Sequence, residues 1–185
     1  LPEEHLPQIA FLGRSNVGKS SLMNTLMGQK KLVKISSTPG KTRELNFFKV
    51  NDEFFLVDLP GVGFAKVNNA KRDQMSDFIR EYVEKCKDLK GLSYLVDIRH
   101  GGTPIDIETV ESIRATGCPV LIDASKRDKV NQSELAKGLK DIQQRLDLDH
   151  KPLCVSALKK FGLDELWTEI LEAIRKDDAK AATYD

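Results

Sequence analysis

At 185 residues the chain is long enough for one domain with a substantial core. Its 29 basic and 28 acidic residues nearly cancel, so a polyanionic partner would have to be met by local patches. Hydrophobic content of 40% is that of an ordinary globular chain, no apolar run approaches the ~20 residues that span a bilayer, and no cleavable signal pattern opens the sequence.

Apolar Ile9–Leu12 predicts the first strand. It runs directly into Gly13-Arg14-Ser15-Asn16-Val17-Gly18-Lys19-Ser20, a match to G-x-x-x-x-G-K-[ST], and Ser21–Met27 then reads as a helix. The order strand, glycine loop, helix is what separates a phosphate cradle from a chance glycine turn. Backbone N–H groups curl inward around phosphate oxygens, and the helix N-terminus adds partial positive charge. Lys19 reaches the outer phosphates, and Ser20 offers a hydroxyl to Mg²⁺.

Gly28 to Leu45 reads as one long connection without an element of its own. It carries Lys30, Lys31, Lys34, Lys41 and Arg43 and the turn-prone Ser36-Ser37-Thr38-Pro39-Gly40. Connections of that length tend to be functional or mobile. Thr42 is preferred to Thr38 as a Mg²⁺ ligand engaged only when a γ-phosphate is present, because it lies nearer the following strand.

Asn46–Val50 and Phe54–Leu59 predict two strands, and the short polar Asn51-Asp52-Glu53 between them makes an antiparallel hairpin. The second ends in Asp58-Leu59-Pro60-Gly61. A carboxylate at that strand end suits a water-mediated Mg²⁺ contact. Gly61 can give its N–H to a γ-phosphate and pivot when the phosphate leaves. Val62 stands next, where many nucleotide switches keep a glutamine that orients the attacking water, so intrinsic hydrolysis is expected to be slow. Asn16 is the candidate to hold a monovalent cation, K⁺, in place of a catalytic arginine. The catalytic set on this reading is Lys19, Asn16, Thr42 and Gly61.

Met75, Phe78, Ile79, Tyr82, Val83 and Cys86 form one helical stripe. Lys66, Lys71 and Arg72 before it, like the lysines of the long connection, offer local charge to RNA phosphates. Leu92–Ile98 predicts a strand running into Asp97-Ile98-Arg99-His100. Arg99 and His100 there fit either a docking surface or a tie for the strand end. Val110 and Ile113 mark a helix after Pro104, and Val120–Ala124 the next strand. Ser125-Lys126-Arg127-Asp128 follows it, where Asp128 can accept from guanine N1–H and the exocyclic amine while the Lys126 stem lies along the base.

Leu135, Leu139, Ile142 and Leu146 mark a further helix, and Leu153–Ser156 the last strand. Small residues at Ser156 and Ala157 let backbone N–H groups approach guanine O6. Leu163, Leu166, Trp167, Ile170, Leu171 and Ile174 stripe the final helix, placing Trp167 in the core. The fold is α/β and doubly wound: a mostly parallel six-stranded sheet with one antiparallel edge strand and helices on both faces. Residues 1–176 form a single domain, and 177–185 lose periodicity and read as a flexible tail. Cys86, Cys118 and Cys154 lack C-x-x-C spacing and His5, His100 and His150 are isolated. That argues against a disulfide framework, cysteine-bound metal or a histidine-centred reaction, and fits a reducing cytoplasm.

The chain resembles the EngB (YihA/YsxC) family in the TrmE-Era-EngA-YihA-septin group of P-loop GTPases. The likeness rests on Gly-Arg-Ser-Asn-Val-Gly-Lys-Ser-Ser at 13–21, Ser-Thr-Pro-Gly-Lys-Thr-Arg at 37–43, Asn46-Phe47-Phe48, Asp58-Leu59-Pro60-Gly61 and Asp97-Ile98-Arg99-His100. The resemblance implies GTP binding by residues 13–20, by Gly40, Lys41, Thr42, Arg43 and Glu44, by Asp58, Leu59, Pro60 and Gly61, by Ser125, Lys126, Arg127 and Asp128, and by Val155, Ser156 and Ala157. Mg²⁺ would sit at Ser20 and Thr42, with Asp58 acting through water. It further implies a monomeric cytoplasmic GTPase, not bound to membrane, that acts in late assembly of the large ribosomal subunit. A link to division and septation also follows. Val62 departs from the family's usual aromatic, Phe64 from a common tyrosine, and Ser125 from threonine or asparagine. A P-loop kinase or ATPase, and a nucleotide-regulated scaffold for division proteins, are the competing readings.

Overall fold

The computed structural model describes residue 2 and residues 4–28, 32–36, 45–63 and 69–181. Among these residues seven strands form one sheet: β1 (Gln8–Gly13), β2 (Leu32–Ser36), β3 (Asn46–Val50), β4 (Phe54–Asp58), β5 (Leu89–Asp97), β6 (Val120–Ser125) and β7 (Leu153–Cys154). Among the described residues five α-helices accompany them: α1 (Lys19–Met27), α2 (Asn69–Lys85), α3 (Pro104–Arg114), α4 (Gln132–Arg145) and α5 (Leu163–Ala181). The strand order is β2-β3-β4-β1-β5-β6-β7. β1 pairs in parallel with β4 and β5, and β5–β6 and β6–β7 are parallel too.

The α/β class and its two helical layers match the sequence reading, but the sheet gains a seventh strand. β2 lies inside the stretch expected to be a bare connection and pairs antiparallel with β3. β3 also opposes β4, so the strand that runs against the rest lies one place in from the edge. An edge strand needs only one neighbour, and the lysines around Leu32-Val33-Lys34-Ile35 mask its β-branched character. The Asn51–Glu53 hairpin is as expected: Asn51 and Asp52 both adopt positive φ, as primed hairpin turns require, and Glu53 N–H bonds the Val50 carbonyl at 2.9 Å. At the other terminus α5 remains helical through Ala181, past the tail boundary drawn at 177. Alanine and lysine at 179–181 sustain helix locally even where the apolar stripe has ended.

Each face of the sheet has its own core. On one side Ala10, Leu12, Tyr94 and Val96 pack under Ile79, Tyr82 and Val83 of α2, Val110 and Ile113 of α3, and Ile142 of α4. On the other, Ile9, Phe11 and Leu56 pack under Leu22, Met23 and Leu26 of α1 and Leu163, Leu166, Trp167 and Ile170 of α5. Trp167 is a core residue, edge-on to Phe54 with ring centroids 6.4 Å apart. Strands buried on both faces explain the near-continuous apolar runs of β1 and β5. One polar pair interrupts this interior. Ser93 on β5 donates a hydrogen bond to Asp123 on β6; both are fully buried, and the second Asp123 oxygen has no partner among the described residues. Burial lifts the Asp123 carboxyl from 3.8 to about 7, the Ser93 bond opposing and nearby Glu169 assisting.

Candidate functional site

The C-terminal ends of β1, β4, β5 and β6 converge with β1 at the centre of the strand order, and there the connection on one side leads to α1 and on the other to α3 and α4. Ligands of open α/β sheets bind in the crevice at such a reversal. Gly13 closes β1 and cannot carry a side chain: a Cβ would meet the Leu95 carbonyl and the Val17 side chain, each at 2.9 Å. Gly18 enters α1 at φ 101°, a conformation that L side chains rarely adopt. Between them Asn16 takes φ 66°, within the range asparagine tolerates. The resulting cleft, about 470 Å³, is lined by Ser15, Asn16, Lys19, Ser20, Gly61 and Lys126 among others. Residues 13–20 therefore form one concave loop on a helix N-terminus, as their spacing predicts.

Asp58 ends β4 beside this loop and is ion-paired with Lys19, which is nearly buried. Leu59 N–H bonds the Phe11 carbonyl at 3.1 Å. Beyond Pro60 and Gly61, Val62 is locked to the loop twice: its N–H donates to Gly13 O at 3.1 Å and its carbonyl accepts from Ser15 N at 3.0 Å. The Val62 side chain turns into the core at 6% exposure. The position that holds a water-orienting glutamine in many nucleotide switches is thus a packing position here. Gly40, Lys41, Thr42, Arg43 and Glu44, and with them the Thr38 alternative, lie outside the described residues, as do Phe64 and Lys66.

The far half of the sheet supplies the rest. Ser125 Oγ donates to the Val17 carbonyl at 2.7 Å, and Lys126 Nζ to the Asn16 carbonyl at 2.6 Å. The residue standing where threonine or asparagine is usual therefore keeps its hydroxyl bond to the phosphate loop. Arg127 does not join the cleft lining: its guanidinium lies over the Phe161 ring at 5.9 Å and bonds the Val130 carbonyl at 3.2 Å. Asp128 accepts from Ser156 Oγ at 2.6 Å, and that hydroxyl also accepts from Lys159 N–H at 3.1 Å. The Ser156 bond holds the Asp128 carboxyl below the usual carboxylate range, so it is an acceptor at neutral pH. Val155 is buried and ties β7 to β6 by donating to Ala124 O at 2.8 Å, while Ala157 is half-buried beside it.

Asp97, at the end of β5, belongs to the same constellation, although its position in a signature was the only sign of it in the sequence. Arg99 grips it through Nε at 2.9 Å, Nη2 at 2.7 Å and its own N–H at 3.1 Å, and Lys126 Nζ lies 3.0 Å from Oδ2. Arg99 therefore ties the strand end, one of the two roles left open for it. Among the described residues no three His, Cys, Asp or Glu side chains gather as a metal centre, and no helix is long and apolar enough to cross a membrane.

Residues 8–126 match the family model described as a 50S ribosome-binding GTPase. The chain is 43% identical over 173 residues to the probable GTP-binding protein EngB of Lactobacillus acidophilus, covering 91% of this chain and 88% of that one. It is 47% identical over 167 residues to the EngB of Clostridium beijerinckii, covering 89% and 84%. A crystal structure of a probable GTP-binding protein EngB superposes with a TM-score of 0.74 at 26% identity, over 91% of this chain and 99% of that one. The structure of Era with MgGDPNP and nucleotides 1506–1542 of 16S ribosomal RNA gives 0.66 at 27% identity, over 91% and 56%. With that similarity running through almost its entire length, the chain belongs to the EngB family of GTP-binding proteins, within the P-loop GTPases.

Proposed function

We propose that this protein is a slow GTPase switch that assists assembly of the large ribosomal subunit, engaging its precursor rRNA and proteins. The observation that carries the reading is the Asp128 carboxylate, kept charged by Ser156 next to a lysine anchored on the phosphate loop. Guanine offers two adjacent N–H donors to such a carboxylate; adenine offers none there, and would leave it unpaired. The phosphates lie along residues 13–20. Ser20 and Asp58 are hard oxygen donors that fit Mg²⁺, with Thr42 as the third. When bound, Mg²⁺ supplies charge that stabilises the phosphate oxygens. Lys19 would face the outer phosphates, and Asp58, which is paired with Lys19, would hold the ion through water. Gly61 donates its N–H to the γ-phosphate.

The inward Val62 supports slow turnover, since nothing at that position orients water. Asn16, exposed at the rim of the cleft, is the residue that would hold K⁺. The family model's description as ribosome-binding favours the large subunit over a division scaffold, and the link to division and septation is then indirect. The protein acts as a cytoplasmic monomer.

Titrating GTP and ATP against the wild type and Asp128→Asn tests the base assignment. Strong preference for GTP, lost in the variant, is expected; equal affinity for both nucleotides in the wild type refutes it. Turnover in KCl exceeding that in NaCl, with the difference erased by Asn16→Ala, is expected for the cation. Large-subunit rRNA should accompany the protein on beads loaded with a non-hydrolysable GTP analogue, and its absence refutes the ribosomal role.

A further inference from the structure

We propose that Asp97 is a positioning residue for nucleotide binding: its carboxylate seats the Lys126 ammonium so that one side chain holds the phosphate loop and forms a wall for the base. The inference rests on the cleft being the guanine-nucleotide site, and it concerns a residue of that constellation that acts through Lys126.

Lys126 has φ 62° and ψ 37°, left-handed backbone that residues with a side chain adopt infrequently. Two side-chain contacts hold its head group in this setting. Its ammonium is 2.6 Å from the Asn16 carbonyl and 3.0 Å from Asp97 Oδ2, so the chain is stretched between β6 and the phosphate loop. A carbonyl alone is a weak anchor for a long, flexible cation, whereas a charge-assisted bond to a largely buried carboxylate fixes the head group. With the head fixed, the four-carbon stem is immobilised ahead of any ligand, which removes rotamer entropy that binding would otherwise have to overcome.

Asp97 is itself held rigidly. It is 9% exposed, and Arg99 occupies both oxygens in a forked pair while its N–H bonds Oδ1. Burial disfavours its charge, but the bonds from Arg99 and Lys126 outweigh burial and keep the carboxyl far below the ordinary range. The Asp97 carbonyl accepts from His100 N–H at 3.0 Å, and Ile98 N–H bonds the Ser125 carbonyl at 3.2 Å. The turn that carries Asp97 is therefore bonded to the strand end that carries Lys126. The chain of contacts runs Arg99, Asp97, Lys126, Asn16, from a solvent-facing guanidinium to the phosphate loop.

A double-mutant cycle on GDP affinity tests this, using Asp97→Ala, Lys126→Met and the pair, each verified as folded by its melting transition. Asp97→Ala is expected to raise the GDP Kd at least tenfold, chiefly through faster release. The double variant should bind no worse than Lys126→Met alone, because Asp97 acts through that lysine. If Asp97 only ties off a strand end, the two single losses multiply in the double variant, and the inference is overturned. Asp97→Asn keeps the shape without the charge and serves if the alanine variant does not fold; a Kd within twofold of wild type there also overturns it. Failure of the wild type itself to bind GDP would remove the nucleotide reading rather than this coupling.

Discussion

The Ser93–Asp123 pair makes a sharp thermodynamic prediction, tested by Asp123→Asn. Asp123 is fully buried with one oxygen lacking a partner among the described residues, and its folded-state value of about 7 compares with 3.8 for an ordinary carboxyl. A group whose folded value is raised contributes stability that is complete below its unfolded value and lost as pH rises through the folded one. Between pH 3.8 and 7 the folded state retains a proton that the unfolded chain gives up, so stability falls over that window. The gap is about three pH units at about 1.4 kcal/mol each, or about 4 kcal/mol in all. Asparagine has the same shape and cannot ionise, so the variant escapes this loss.

Urea unfolding of both proteins from pH 5 to 8.5 reads it directly. The variant should match the wild type near pH 5 to within about 2 kcal/mol, gain on it by about 2 kcal/mol by pH 7, and level off at a gain of about 3 kcal/mol above. Parallel stability curves over the whole range would refute the buried, protonated carboxyl.

Three further outcomes follow from local geometry. Gly138→Ala, in the middle of α4, should destabilise despite alanine's better helix propensity, since its Cβ would meet the Ile98 carbonyl at 2.5 Å; a loss of about 2 kcal/mol by denaturant titration is expected. Thr103→Ala removes the capping box that Thr103 and Asp106 form at the start of α3, and should lower Tm by about 3 °C through a loss of about 1 kcal/mol. Ser156→Ala frees the Asp128 carboxylate and should weaken GDP roughly tenfold in a fluorescence titration, with Tm moving little.

The sequence made the β1–loop–α1 unit, the Asp58 strand end and the amphipathic stripes of α2, α4 and α5 legible because each is local. Glycine spacing, hydrophobic period and capping chemistry act within a dozen residues. What escaped depends on partners distant in the chain. β2 is a strand because β3 is there to pair with it. Asp97 meets Lys126 across 29 positions, and Ser156 meets Asp128 across 28. Ser93 and Asp123 each interrupt an apolar run by one polar residue, a pattern that reads as noise until β5 and β6 are set side by side. Arg127 stands between Lys126 and Asp128 in the sequence, yet the short 3-10 turn from Arg127 to Lys129 carries its head group to Phe161.

The double attachment of Val62 has a mechanical consequence. Leu59 is pinned to β1 on one side and Val62 to the glycine loop on the other, so Pro60 and Gly61 form a two-residue span between fixed abutments. Proline brings no N–H of its own to that span, which leaves Gly61 as its single donor. A phosphate oxygen arriving at Gly61 would therefore meet a span fixed at both ends, and a displacement there would act on the Val62 bonds before passing further along the chain.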